Sequence, residues 1–316
     1  MKLAIILDPL ESLKTYKDST YAMMREAHAR DHVLYVMEQH ELILDEGRVK
    51  AHARRLDLVD EDLKWHTLEE PSWHTLTDFD VTLMRKDPPF DMEYIYSTYL
   101  LELAEAQGAR ILNRPEAVRD FNEKLSTAKF PQFMPPTLVT RQQDLIRDFI
   151  GKHGDIILKP LDAMGGSSIF RVRQDDPNLN VILETMTQLG SRTIMAQRYI
   201  PEIAQGDKRI LLIDGEPVPY ALARIPKSGE TRGNLAAGGK GVAQPLSEHD
   251  WKIADALGPK LRELGLFLVG LDVIGDYLTE INVTSPTGFQ EITTQSGFNV
   301  AGMFVDALEK QMRCEA

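Results

Sequence analysis

The run Leu271-Asp-Val-Ile-Gly-Asp-Tyr-Leu-Thr-Glu-Ile-Asn-Val-Thr-Ser-Pro-Thr287 constrains the fold more than any other part of the chain. Leu278 to Val283 alternates as a half-buried strand does. Phe267 to Ile274 is a largely apolar run of strand length, and Gly275-Asp276 lies between them as a turn signal. The reading is a β-hairpin. Side chains alternate along a strand, so Glu280 and Asn282 share a face, about 7 Å apart. Asp272 joins them in one register only. A two-residue turn sets it opposite Thr279, whereas a three-residue turn from Gly275 to Tyr277 sets it opposite Glu280, and the functional reading requires the latter. Two carboxylates about 4 Å apart repel by about 4 kcal/mol at an effective dielectric of roughly 20, a cost that a hard dication reverses. Asp272, Glu280 and Asn282 are therefore candidate ligands for Mg²⁺, which takes one or two protein carboxylates and completes its shell with water and substrate phosphates. A solvated hairpin decorated with acids fits the same spacing.

A chain of 316 residues has room for two or three domains around this hairpin. Its net charge of −12 argues against nucleic acid or an anionic membrane surface as partner, so any anionic ligand must be met by local cations. No apolar run approaches membrane-spanning length, and the start turns acidic at Asp8, too soon for a signal peptide; a cytoplasmic location is expected. The single cysteine, Cys314, excludes an intrachain disulfide and a cysteine metal cluster.

Before the hairpin, Leu3 to Leu7, a helix from Ser19 to Arg30 and Val33 to Met37 read as a βαβ unit with a parallel sheet. Asp45-Glu-Gly-Arg48 reads as a hairpin turn, and Trp65 to Leu76 has no usable period. Val81 to Met84 runs into Arg85-Lys-Asp-Pro-Pro-Phe90 at a strand's carboxyl end, where open α/β sheets bind ligands. Arg85 offers a planar fork for a carboxylate there, or is an ordinary loop cation beside Asp87. A helix from Met92 to Gln107, a strand from Arg110 to Leu112 and a helix from Pro115 to about Lys129 complete the unit.

After the proline-rich loop at Pro131 to Pro136 and a helix near Asp144 to His153, the strand Asp155 to Leu158 ends in Lys159-Pro160. Asp162-Ala-Met-Gly-Gly-Ser-Ser168 and a further strand follow. Strand, glycine turn, strand is a hairpin and not a Walker loop. Its Gly165-Gly166 still admits phosphate oxygens close to backbone N–H groups, with Ser167 and Ser168 as added donors and Lys159 as a point charge; a plain flexible hairpin explains the glycines as well. Thr193 to Tyr199, Asp207 to Ile213 and Glu216 to Ala223 read as strands. Arg224 to Gly241, with five glycines besides Lys227, Arg232 and Lys240, reads as a mobile lid over anionic groups or as a connector. Ser247-Glu-His-Asp250 caps a helix to about Leu264, and Phe298 to Arg313 is the last helix.

Taken together and in order, Lys159-Pro-Leu-Asp with Gly165-Gly166, the Arg224 to Gly241 loop, Asp272 and Glu280-Ile-Asn-Val-Thr-Ser-Pro-Thr287 resemble the ATP-grasp ligases, and among them the bacterial glutathione synthetases. Met84-Arg-Lys-Asp-Pro-Pro-Phe90 and Asn113-Arg-Pro115 extend the likeness over the whole chain. The resemblance implies an α/β (α+β) ATP-grasp fold with a parallel α/β substrate domain over 1–122, a central lid domain over 123–200 and a catalytic domain over 201–316. It implies ATP as co-substrate, with Lys124, Lys159, Gly165, Gly166 and Ser167 on its phosphates. Gln197, Arg198, Tyr199 and Ile200 would line the adenine pocket, with Asp207 on the ribose. Arg209, Arg224 and Arg232 would manage phosphoryl charge, and Arg85, Ser285 and Thr287 the substrate. Asp272, Glu280 and Asn282 would hold Mg²⁺ or Mn²⁺. The reaction implied joins γ-glutamylcysteine to glycine through an acyl phosphate, in a homo-oligomer, a homotetramer; another carboxylate–amine ligase is the alternative. A small-molecule kinase and a non-catalytic nucleotide binder are the rivals from other classes. Gly288-Phe-Gln-Glu291 departs from the family's sequence and leaves its own contacts open.

Overall fold

The computed structural model describes residues 1–61, 64–227, 229, 233 and 238–314, without the side chains of residues 60, 61 and 314. The expected βαβ unit forms. Lys2–Ile6 lies between Val33–Met37 and Val81–Met84, parallel to both, with Ala4 opposite Tyr35 and Thr82, and Ile111–Leu112 extends the parallel set. The helix Ser19–Ala29 connects the first two strands, its first turn closed by the Asp18 carboxylate accepting from the Tyr21 N–H. At the far edge the long strand Arg48–Glu61 runs antiparallel to Val33–Met37 and follows Leu42–Asp45 through a tight turn in which Glu46 and Gly47 both have positive φ. The segment left without a period is a correction: Lys64–Leu68 and Ser72–Thr75 are strands, both paired with Arg48–Glu61. Neither has a clean buried face. They are held instead by Trp65 edge-on to Tyr21 and by Trp73 stacked on His52.

The central sheet is antiparallel, in the order Phe170–Arg173, Asp155–Pro160, Ile194–Arg198, Thr137–Thr140. It has its own small core, in which Ile146 and Ile150 of the helix Gln143–His153 and Leu183 of the helix Leu179–Met186 cover Ile156, Leu158 and Val172. The third sheet runs Lys240–Pro245, Tyr220–Ile225, Asp207–Ile213, Leu268–Ile274, Tyr277–Asn282. The strand expected over Glu216 to Ala223 is split into Glu216–Pro217 and Tyr220–Ile225, because Pro217 and Pro219 have no N–H to donate to a ladder. Two larger cores join the ends of the chain. Leu3, Ile5 and Met23 pack with Leu211, Ile213, Phe289 and Phe304, while Ala4, Ile6 and Tyr94 share a cluster with Ile210, Leu212 and Leu278. No helix among the described residues is long and apolar enough to cross a membrane.

The helix Glu248–Glu263, with Ser247 and Asp250 forming the expected capping box, crosses the Asp214-Gly215 turn at Gly258. A Cβ at Gly258 would lie 2.1 Å from the Gly215 carbonyl oxygen. Alanine favours helix by about 1 kcal/mol over glycine, but a backbone clash of this size costs about 1–3 kcal/mol or more. Gly258→Ala is therefore expected to lower unfolding stability by about 2 kcal/mol in a urea titration. An unchanged midpoint would mean that the helix shifts freely off the turn.

Candidate functional site

The terminal hairpin has the register that the chemistry needs but not the turn expected for it. Asp272 pairs with Glu280, yet Ile274 pairs with Tyr277, so the turn is the two-residue Gly275-Asp276, with Gly275 at φ 58°. The extra residue is absorbed by a bulge: Val273 faces Leu278, Asp272 faces Glu280, and Thr279 is left between, its hydroxyl donating to the Asp272 carbonyl at 3.1 Å. The bulge moves Asp272 from Thr279 to Glu280 without lengthening the turn.

Across the next strand pair Arg209 lies opposite Asp272, so Glu280, Asp272 and Arg209 form one charged rung over three strands. The following pair sets Arg224 opposite Asp207. Arg209 binds Asp272 through two nitrogens, Nη2 at 3.0 Å, and Arg224 reaches the same carboxylate at 2.9 Å while also pairing with Asp207. Burial alone would raise the Asp272 pKa, but the two guanidiniums hold it well below the usual carboxylate range. Burial pushes Asp207 up to about 7, against the pull of Arg224 and with the help of Asp272 and Glu280. Its Oδ1 has no hydrogen-bond partner among the described residues.

A cavity of about 290 Å³ opens between this sheet and the central one. The central sheet contributes Lys159 from its strand end, Gly165 and Gly166 from the glycine turn, both at positive φ, and the run Gln197 to Ile200. Gln197 is anchored to the Thr137 hydroxyl at 3.0 Å, Tyr199 lies under the Arg171 guanidinium, and Arg198 donates to the Tyr277 hydroxyl at 2.8 Å. Lys159 is buried, 3.9 Å from its nearest carboxylate oxygen on Glu280, and desolvation pulls its pKa down. Lys124 enters where the chain departs from the expected helix. The helix expected from Pro115 to Lys129 stops at Asp120, and a short 3-10 turn resumes at Leu125. In the gap, the Asn122 carboxamide oxygen accepts from the Lys124 and Leu125 N–H groups and its nitrogen donates to the Leu161 carbonyl, which turns Glu123 and Lys124 into the cavity.

Of the other residues singled out, Ser285, Thr287, Asp207, Arg209, Arg224, Asp272, Glu280 and Asn282 line the cavity, while Ser167 and Arg85 do not. Arg85 is buried behind that wall, donating to the Pro286 carbonyl and the Thr20 hydroxyl at 3.1 Å each. Arg232 and most of the glycine-rich loop lie outside the described residues. Sequence reasoning passed over Glu123, whose pKa burial and Glu280 push up to about 7, and Asp87, which accepts from the Ser285 hydroxyl at 2.6 Å. Both stood beside residues already marked, next to Lys124 and within the Arg85 motif. Gln290 and Gly288 are scaffold: they bond the Asp18 carbonyl and the Ser19 hydroxyl, fixing the first turn of the helix Ser19–Ala29.

The donor set suits a hard cation. Asn282 lines the same wall of the cavity as the carboxylates of Asp272 and Glu280, its amide nitrogen donating to the Gly270 carbonyl and to Asp272. Among the described residues no group of three His, Cys, Asp or Glu forms a metal site by itself, and a cation such as Mg²⁺ here would complete its shell with water or ligand oxygens.

Two family models match the chain. Residues 1–119 match the N-terminal domain, and residues 123–297 the ATP-grasp domain, of prokaryotic glutathione synthetase. The chain is 61% identical over 315 residues to the glutathione synthetase of Nitrosomonas europaea, covering 99% of this chain and 98% of that one. It is 59% identical to that of Ralstonia nicotianae, covering 98% and 96%. Among solved structures, D-cycloserine synthetase DcsG superposes with a TM-score of 0.69 at 15% identity, covering 99% of this chain and all of that one. The ATP-grasp ligase PsnB complexed with minimal precursor, Mg and ADP gives a TM-score of 0.64 at 15% identity, covering 98% of each; at these identities the likeness is one of fold.

Proposed function

The chain belongs to the prokaryotic glutathione synthetase family and is an ATP-dependent ligase that produces glutathione, and from that premise we propose how its cleft divides the work. The observation that carries the reading is the charged rung of Glu280, Asp272 and Arg209 facing Lys124 and Lys159 across one cavity. Acids on one wall and desolvated cations on the other suit a nucleotide's phosphates and their counter-ion. Lys124, Lys159 and the Gly165-Gly166 turn hold the phosphates, and Gln197 to Ile200 the adenine. Asp272, Glu280 and Asn282 would hold Mg²⁺, which when bound would supply positive charge against the phosphates.

The substrates are γ-glutamylcysteine and glycine. The terminal carboxylate of γ-glutamylcysteine attacks the γ-phosphorus of ATP, ADP leaves, and the amine of glycine displaces phosphate from the acyl phosphate. Arg209 and Arg224 steady the charge on the transferring group, and Asp272 keeps both guanidiniums aimed. Asp207 is engaged by Arg224, so it orders that arginine whether or not it also meets a ribose. Arg85 braces the Pro286 wall beside Ser285 and Thr287, where the peptide substrate is held. The domain division at 122 and 200, a homotetrameric assembly and a cytoplasmic location complete the proposal.

ADP release measured with a panel of carboxylates and amines tests it: release should require γ-glutamylcysteine and glycine together, with an amide as product. Efficient release with a different pair would overturn the substrate assignment. Arg232, assigned by resemblance, has its own test. Arg232→Ala should lower turnover at least about tenfold and raise the ADP formed per amide above one, because an acyl phosphate reached by water is hydrolysed. Unchanged coupling would remove Arg232 from the reaction.

A further inference from the structure

We infer that Glu123 is the positioning residue for Lys124, holding its ammonium where the nucleotide's phosphates arrive; the inference rests on the assignment of Lys124 to those phosphates. Lys124 is only 2% exposed, and its Nζ sits among three partners from three parts of the chain. Those partners are the neighbouring Glu123 carboxylate, the Ala163 carbonyl of the glycine turn at 2.6 Å and Glu280 Oε1 at 3.6 Å. An ammonium has three protons. Glu123 and Ala163 take two, and the third faces Glu280 and the cavity.

A lysine side chain is a flexible four-carbon stem, and its head goes to the strongest acceptor in reach. With the Glu123 carboxylate removed, that acceptor is Glu280, an assigned cation ligand. The head would then leave Ala163 and occupy the oxygen that the cation needs.

The Glu123 side chain is separable from the fold. It is the main chain at Glu123 that docks the acid strand, its carbonyl accepting from the Ile281 N–H at 2.7 Å, and Asn122 fixes the local turn. The carboxylate instead lies in the cavity beside that of Glu280, a like-charge placement that costs stability. That arrangement makes sense for a group that serves Lys124.

A double-mutant cycle on the full chain tests this, with Glu123→Gln, Lys124→Met and the pair, read by steady-state kinetics and urea unfolding. Glu123→Gln should raise KM for ATP about tenfold, the loss of one charge-assisted hydrogen bond, and leave KM for glycine within about twofold. Its unfolding midpoint should stay level or rise. Glu123→Asp, which keeps the charge, should recover most of the KM. In the Lys124→Met background the Gln substitution should add less than about twofold. Additive effects, or a lowered midpoint with KM for ATP unchanged, would overturn the positioning role while leaving the phosphate assignment standing. A Lys124→Met variant with normal KM for ATP would overturn both.

Discussion

Asp272→Asn is expected to lose stability and turnover together: about 3–5 kcal/mol of unfolding free energy, and on the order of 10²–10³-fold in kcat. The substitution leaves two buried guanidiniums facing a neutral amide. Arg209 is bound to this carboxylate through two nitrogens and Arg224 through one, and both are buried. Removing one member of a buried pair costs more than the pair contributes, because the remaining charge keeps its desolvation penalty. The pH dependence has a definite sign. Asp272 titrates in the fold below its ordinary value, so its stabilisation is complete above the unfolded-state carboxylate range and fades as pH falls toward the depressed native value. The variant should lack that part of the acid-induced loss. A wild-type urea midpoint in Asp272→Asn would mean that Asp207 and Glu280 suffice to neutralise both arginines.

Lys159→Met should separate the two properties that Asp272→Asn loses together. Turnover should fall on the order of 10³-fold while the unfolding midpoint stays level or rises. In the free protein this ammonium gains little: its hydrogen bond to the Thr279 carbonyl is long at 3.4 Å, and its nearest carboxylate oxygen is 3.9 Å away. A methionine of similar length removes the desolvation cost and keeps the packing. Because the native Lys159 pKa is depressed, the unfolded chain binds the proton more tightly, and wild-type stability gains as pH rises through that depressed range. Any advantage of the methionine variant should accordingly shrink with rising pH. A midpoint clearly below wild type would show that Lys159 is a structural ion-pair partner and not a site held ready for phosphate.

The parts of this molecule legible from sequence are those where one local rule decides. The parallel strands near the start are short apolar runs, Ser247 and Asp250 make a capping box, and Glu280 and Asn282 share a face because strands alternate. The register of Asp272 was legible only through its chemistry. A bulge at Thr279 leaves no mark in the pattern, so the spacing predicts a turn one residue longer than the structure has. Lys64–Leu68 and Ser72–Thr75 escaped notice because neither buries a face, although Trp-His-Thr-Leu occurs in both places with aromatic and β-branched residues that favour strand. The helices Leu179–Met186 and Phe289–Ser296 are short enough for tertiary contacts to decide them. The helix break at Phe121 is set by Asn122 reaching across to Leu161, a long-range bond that no local pattern reports.

The cores shared by the two ends of the chain have a consequence during synthesis. Leu3, Ile5 and Met23 leave the ribosome well before their partners Phe289 and Phe304. At about 5–20 residues per second, the apolar face of the first sheet waits on the order of 15–60 s for its cover, while the central sheet closes its core from residues 146 to 196 well before. The nascent chain thus presents one finished module between two halves of an unfinished one, and holding the first half in solution through that interval is a task for chaperones.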